Sequence, residues 1–200
     1  MPINIKKYYK KSFDIIKFNR KIIYFVTILY IIFLLGGIIY YASTYKDEFS
    51  PEYKKERDNA MRDILLKDNF YDNFIYIFSH NFIASLFRII SGVLFAVFPL
   101  FLIINGAFSS SYSLFASIAD KGFYFTLNAW LPHSLIEIPA FILSSSLGVM
   151  IFLSLFKPKY KLQNLIKAYK DSLIVFACII LPMLFFAAVI ESILIVNFWF

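Results

Sequence analysis

Four ionisable residues stand where apolar sequence surrounds them. Arg88 falls in the run 81–104, His133 and Glu137 open the run 133–156, and Glu191 is late in the run 172–197. A charge at mid-bilayer costs at least ~2.5–3.5 kcal/mol by insertion scales, so such groups face a bundle interior and find partners. Three chemistries fit them. Arg88 with one or both glutamates would make a self-neutralising cluster that holds helices in register. His133, Glu137 and Glu191 would offer three ligands to a divalent metal such as zinc, although a neighbouring Arg88 opposes a cation. Carboxylates beside a histidine would also serve as a protonation or ion-translocation site. No H-E-x-x-H, G-x-S-x-G or P-loop pattern occurs, so the motifs point to no enzyme class and no organic cofactor is expected.

The elements that must hold these residues follow from composition. Of 200 residues, 60% are hydrophobic, 20% aromatic and only 16% charged. A soluble domain of this length has too little interior to hide so much hydrocarbon. A soluble enzyme, a disordered tail and a disulfide scaffold are thereby excluded. Cys178, the single cysteine, can form no internal disulfide. Most of the +7 net charge flanks apolar runs, so anionic lipid headgroups are the expected partner and nucleic acid is not.

The spans follow from hydropathy. Residues 1–21 form a basic segment in which Ile5, Tyr9, Phe13 and Ile16 recur at helical spacing, as in a helix lying on a membrane. The first span is 22–42, with Gly36 and Gly37 permitting a kink or close packing. Residues 44–80 are polar; Ser50-Pro51-Glu52 reads as a helix start and the following pattern as an amphipathic helical insertion. The second span is 81–104. Residues 107–131 are interrupted by Asp120-Lys121-Gly122, and their first piece would rise only about 20 Å against a hydrocarbon core of roughly 30 Å. A broken third span or a re-entrant hairpin is expected there. Pro132 opens the fourth span, 133–156, and a basic cytoplasmic loop, 157–171, precedes the last, 172–197. The basic blocks belong in the cytoplasm, which requires residues 107–131 to cross. The expectation is an all-α polytopic bundle of about five spans in a cell membrane, formed by residues 22–200. Its N-terminus is cytoplasmic, and its C-terminus and the insertion 44–80 are extracytoplasmic.

That topology gathers the four ionisable residues in the outer half of the bilayer. His133 and Glu137 share a helix face continued by Ala140, Ser144 and Gly148, and Gly92, Asn105 and Gly106 mark further close approaches. His80, Asn81 and Asn128 are candidates for the rim of the resulting pocket. The leading functional expectation is a scaffold that recruits membrane or extracytoplasmic proteins through residues 50–78, with self-association as a further option. A transporter or channel-like protein using Arg88, Glu137 and Glu191 is one alternative. A metal-dependent membrane enzyme with His133, Glu137 and Glu191 as ligands is the other.

A family resemblance rests on these same residues. Asn105-Gly106, Pro132-His133-Ser134-Leu135-Ile136-Glu137, Gly148 and Ala187-Ala188-Val189-Ile190-Glu191 resemble the stage II sporulation protein M family of integral membrane proteins, over most of residues 22–197. Its archaeal and actinobacterial members open a late span with Pro-His-Gly-x-x-Glu; here Ser134 stands at the glycine position. The resemblance implies a polytopic bundle, with His133, Glu137 and Glu191 as the family-type polar positions. Sporulation members assemble peptidoglycan hydrolases at the membrane during engulfment, but they lack the His…Glu pair, so that role carries over only weakly.

Overall fold

The computed structural model describes residues 5–48, 69–156 and 161–198. Among these the chain is helical throughout, with no strand. In chain order the helices are α1 (Ile5–Phe18), α2 (Arg20–Glu48), α3 (Phe70–Ser91), α4 (Val97–Lys121), α5 (Phe123–Ser154), α6 (Lys161–Val175) and α7 (Leu181–Phe198). A π-helical turn, Phe176–Ile180, joins α6 to α7. Among the described residues, five helical stretches are long and apolar enough to cross a membrane: Arg20–Thr44, Phe70–Ser91, Val97–Lys121, Phe123–Ser154 and Lys161–Asn197. The expected five-span helical bundle is therefore what the chain forms.

The boundaries inside it differ from expectation. The second span is not 81–104: α3 starts at Phe70 and stops at Ser91, so residues 70–80 belong to a span rather than to a surface insertion. Residues 49–68, which hold the rest of that insertion, lie outside the described residues. The third span is not broken, because α4 runs unbroken through Lys121. The turn falls instead at residues 92–96, where an all-apolar sequence conceals it. Gly92 caps α3, and Pro99 sits in the first turn of α4, where its missing N–H leaves no hydrogen bond unmade. Asp120-Lys121-Gly122 marks a joint between two long helices. Gly122 has φ +86°, a left-handed conformation that glycine adopts without steric cost, and α5 begins at the next residue. Pro132 and Pro139 both lie within α5. The basic segment 157–171 is helical from Lys161 onward.

The widened turn between α6 and α7 has a local cause. Pro182 lies two residues beyond it, after Leu181, and cannot donate a backbone hydrogen bond. Leu181 N–H reaches back five residues to the Phe176 carbonyl, so the helix passes the proline without stopping.

Packing fixes the order of the bundle. α2 lies mainly on α4, whereas α5 is central and touches α2, α3, α4 and α7. One apolar cluster joins Ile89, Leu147, Ile151, Phe176 and Leu184; a second joins Val26, Tyr30, Ile103 and Ile142. Backbones meet at two points. A Cβ on Gly92 would collide with the Gly148 carbonyl, and one on Gly37 would lie 2.6 Å from Ser111 Oγ. α1 is docked on α6. Lys11 Nζ is 2.9 Å from Asp171 Oδ1, and the fully buried Ser12 hydroxyl stands 3.0 Å from the Tyr8 carbonyl and 3.4 Å from that of Ile174.

Candidate functional site

α5 carries two of the four ionisable residues. His133 and Glu137 are one turn apart and project from the same face, as four-residue spacing in a helix requires. Prolines bracket them, and in a helix each proline leaves the carbonyl four residues earlier without its usual donor: Asn128 for Pro132 and Leu135 for Pro139. Glu191 comes from α7, which packs along α5. Ala140 and Ser144 on α5, and Ala187, Ala188 and Ser192 on α7, are small and fully buried, so the two backbones approach closely beside the polar groups.

The result is a convergence. One ligand atom each from His133, Glu137 and Glu191 lies within 4.8 Å of the other two, and all three residues are half-buried. His133 Nδ1 is enclosed and makes no hydrogen bond of good geometry, although the imidazole lies near the backbone of Ala129 one turn earlier. Ligand atoms around a tetrahedral zinc stand roughly 3.4 Å apart, so rotamer changes of the order of 1 Å would close this set on an ion. Three protein ligands leave a fourth position open, the arrangement of metal centres that act on a water or a substrate.

Arg88 approaches from α3. That helix ends three residues later, so the side chain rises from close to the end of its span and not from the beginning, as the expected boundaries implied. It is 8% exposed. Its Cζ lies 4.3 Å from the Phe141 ring centroid, a cation–π contact, and its Nη2 lies 3.7 Å from where a Cβ on Gly106 would sit. Nε is buried without a partner. Among the described residues no carboxylate comes within 4.0 Å of the guanidinium, so the direct Arg88–glutamate ion pair is not formed. Glu137 is an acidic neighbour of both Arg88 and Glu191. The Phe141 ring, and not a carboxylate, is the close contact of the guanidinium.

The remaining candidates separate. His80 is exposed, stacks on Tyr76 with ring centroids 6.2 Å apart, and lines with Arg88 a cleft of about 280 Å³ between α3 and α4. Asn81 is buried in the bundle. Asn128 is exposed and donates to the Tyr124 carbonyl of its own helix at 3.0 Å, away from the cluster. Gly92 and Gly148 meet at the α3–α5 crossing, Gly106 gives room to Arg88, and Asn105 is exposed. The Ser144 hydroxyl is satisfied by the Ala140 carbonyl at 2.8 Å. Of the expected recruitment surface 50–78, most lies outside the described residues, and the rest belongs to α3.

Two neighbours went unnoticed in the sequence. Phe141 follows Glu137 by four residues, so helical spacing alone puts it on the cluster's face. Tyr30 is buried in α2, donates to Ser110 Oγ at 3.2 Å and stands within electrostatic range of Glu137. Its signal is a hydroxyl in the middle of an otherwise apolar span.

Comparison with known proteins bears on the same residues. The profile of the family described as Stage II sporulation protein M matches residues 26–194, which include all four cluster residues. An uncharacterized protein of Methanocaldococcus jannaschii, MJ0706, is 31% identical over 142 residues, covering 68% of this chain and 62% of the relative. The chain thus matches somewhat under two thirds of that relative's length. No solved structure matches the chain.

Proposed function

We propose, for a chain that belongs to the stage II sporulation protein M family, that its working part is an intramembrane divalent-cation site with His133, Glu137 and Glu191 as ligands. The observation that carries this reading is the convergence of three ligand atoms, from α5 and α7, within 4.8 Å of one another. Charge supports it: two carboxylates balance a divalent ion, and a neutral imidazole completes the set without adding charge. Arg88, held on Phe141, is then left as a cation beside a neutral centre. It is placed to attract whichever anionic or polarised oxygen takes the open coordination position.

Within this reading the bundle is a frame for the ion. The α5–α7 contact brings the ligands together, and the Gly92–Gly148 crossing fixes the height from which Arg88 reaches in. Recruitment of other proteins would be a property of the surface and does not compete for these residues.

Cobalt(II) substitution tests the geometry. Purified full-length protein loaded with cobalt should show the intense visible absorption of a four-coordinate site, and Glu191→Gln should weaken or shift it. Only the faint spectrum of a six-coordinate aquo ion, unchanged by Glu137→Gln and Glu191→Gln, would mean that these residues do not ligate.

A further inference from the structure

A cleft apart from the cluster lies at the elbow where α1 meets α2. Its volume is about 670 Å³, and it is lined by Asp14, Lys17, Phe18, Asn19, Arg20, Lys21 and Ile22. Three cations and one acid therefore face the same space. The elbow is held open by hydrogen bonds: Asn19 donates its side-chain amide to the Ile15 carbonyl at 2.8 Å, and its own carbonyl accepts from Ile22 N–H at 3.0 Å.

α1 has a side on the bundle, an apolar flank that adjoins it and a cationic face turned away from Ser12. Ser12, Ile15 and Ile16 point to the bundle, where Ser12 is fully buried and both isoleucines pack on the core. Ile5, Tyr9 and Phe13, four residues apart, form a flank that stays open: Ile5 is 64% and Phe13 62% exposed. Lys6, Lys10 and Lys17 occupy the cationic face. Exposed Lys161, Lys167 and Lys170 on α6, the helix on which α1 is docked, add charge at the same end of the bundle. A helix with an apolar stripe, a cationic face and a membrane span starting directly after it is built to lie in the interface plane.

We propose that the α1–α2 elbow is a binding site for the headgroup of an anionic phospholipid. Lys17, Arg20 and Lys21 would hold the phosphate, while the Ile5–Tyr9–Phe13 stripe sinks among the acyl chains of the same leaflet. Charge complementarity identifies the occupant: cations clustered where a span enters the headgroup layer meet phosphate there before any other anion. The apolar stripe separates a lipid from free phosphate, since a soluble anion leaves that stripe in water. Docking on α6 matters as well, because a pre-positioned helix loses little conformational freedom on binding.

Native mass spectrometry of the full-length protein, titrated with phosphatidylglycerol and with phosphatidylcholine of the same acyl chains, tests this. The wild type should favour phosphatidylglycerol by about tenfold or more, and Lys17→Gln/Arg20→Gln/Lys21→Gln should abolish the preference. Equal affinity for the two lipids in the wild type overturns the proposal, as does a preference that survives in a folded triple variant. Displacement of phosphatidylglycerol by millimolar inorganic phosphate would also overturn it, because the site would then read phosphate without lipid. If the triple variant does not fold, the wild type decides: the preference must fall as sodium chloride is raised, and a salt-independent preference refutes the site.

Discussion

Gly92 and Gly148 cross backbone to backbone. A Cβ on either would strike the main chain of the other helix, and one on Gly148 would in addition lie 3.0 Å from Pro99 Cβ. This one contact seats the end of α3 and the start of α4 on α5, and so sets the height from which Arg88 enters the polar cluster. Gly148→Ala is expected to destabilise the bundle by about 1–3 kcal/mol, because backbone and a proline ring cannot yield as a flexible side chain would. Reversible unfolding of the purified variant in mixed detergent measures it, and an unchanged midpoint would contradict the crossing.

Gly36 and Gly37 are adjacent but not equivalent. Nothing lies within 4 Å of a Cβ built on Gly36, whereas one on Gly37 would sit 2.6 Å from Ser111 Oγ and 2.7 Å from Ser111 Cβ. Gly36→Ala should be neutral or stabilising by up to about 1 kcal/mol, as alanine is the better helix former. Gly37→Ala should destabilise, and Ser111→Gly should rescue it where Ser111→Ala does not, since the serine Cβ is itself in the way. A double-mutant cycle on unfolding free energies reads the coupling.

α1 should depend more on shape than on charge for its place. The Lys11–Asp171 pair has Lys11 47% exposed, and such pairs contribute about 0–1 kcal/mol. Lys11→Gln is therefore expected to leave α1 docked. Ser12→Phe should release it, because Ser12 is fully buried against α6. Limited proteolysis in detergent distinguishes the two: new cleavage within residues 5–18 is expected for Ser12→Phe alone.

Five alternating crossings with basic blocks at one end would place residues 5–18 and 161–170 on the cytoplasmic side. With Cys178 replaced by alanine, single cysteines at Lys10 and Lys161 should react with an impermeant thiol reagent only from the cytoplasmic side. One at Lys121 should react only from outside. Labelling of all three from one side would contradict the arrangement.

Much of this architecture was legible in the sequence, for identifiable reasons. Apolar runs of span length announce themselves whatever their neighbours do, and the i, i+4 spacing puts His133 and Glu137 on one face without further information. The α3–α4 turn was hidden because residues 92–96 are apolar: Leu94 and Phe95 are exposed on a surface built for lipid, so the usual polar punctuation of a turn is missing. Conversely, Asp120-Lys121-Gly122 interrupts an apolar run as a defect would, yet charge and a left-handed glycine are what a true span end requires. Placing the break wrongly also inverted Arg88, which was assigned to the beginning of its helix and lies near the end. That Glu191 would meet the α5 pair depends on which helices are neighbours, and a single sequence carries no such contact. Helical spacing puts Phe141 on the cluster's face, but nothing in the sequence sets this one of 25 phenylalanines beneath a guanidinium.

His133, Glu137 and Glu191 are proposed to bind one divalent cation. The most direct test is the metal content of full-length protein purified in detergent without chelator, measured by elemental mass spectrometry and repeated after addition of one equivalent of zinc. The wild type should hold close to one ion per chain. His133→Ala, Glu137→Gln and Glu191→Gln should each lose at least tenfold in affinity, whereas His80→Ala should keep the ion. A folded wild type that retains no stoichiometric metal under either condition, or three variants that bind as the wild type does, would contradict the account.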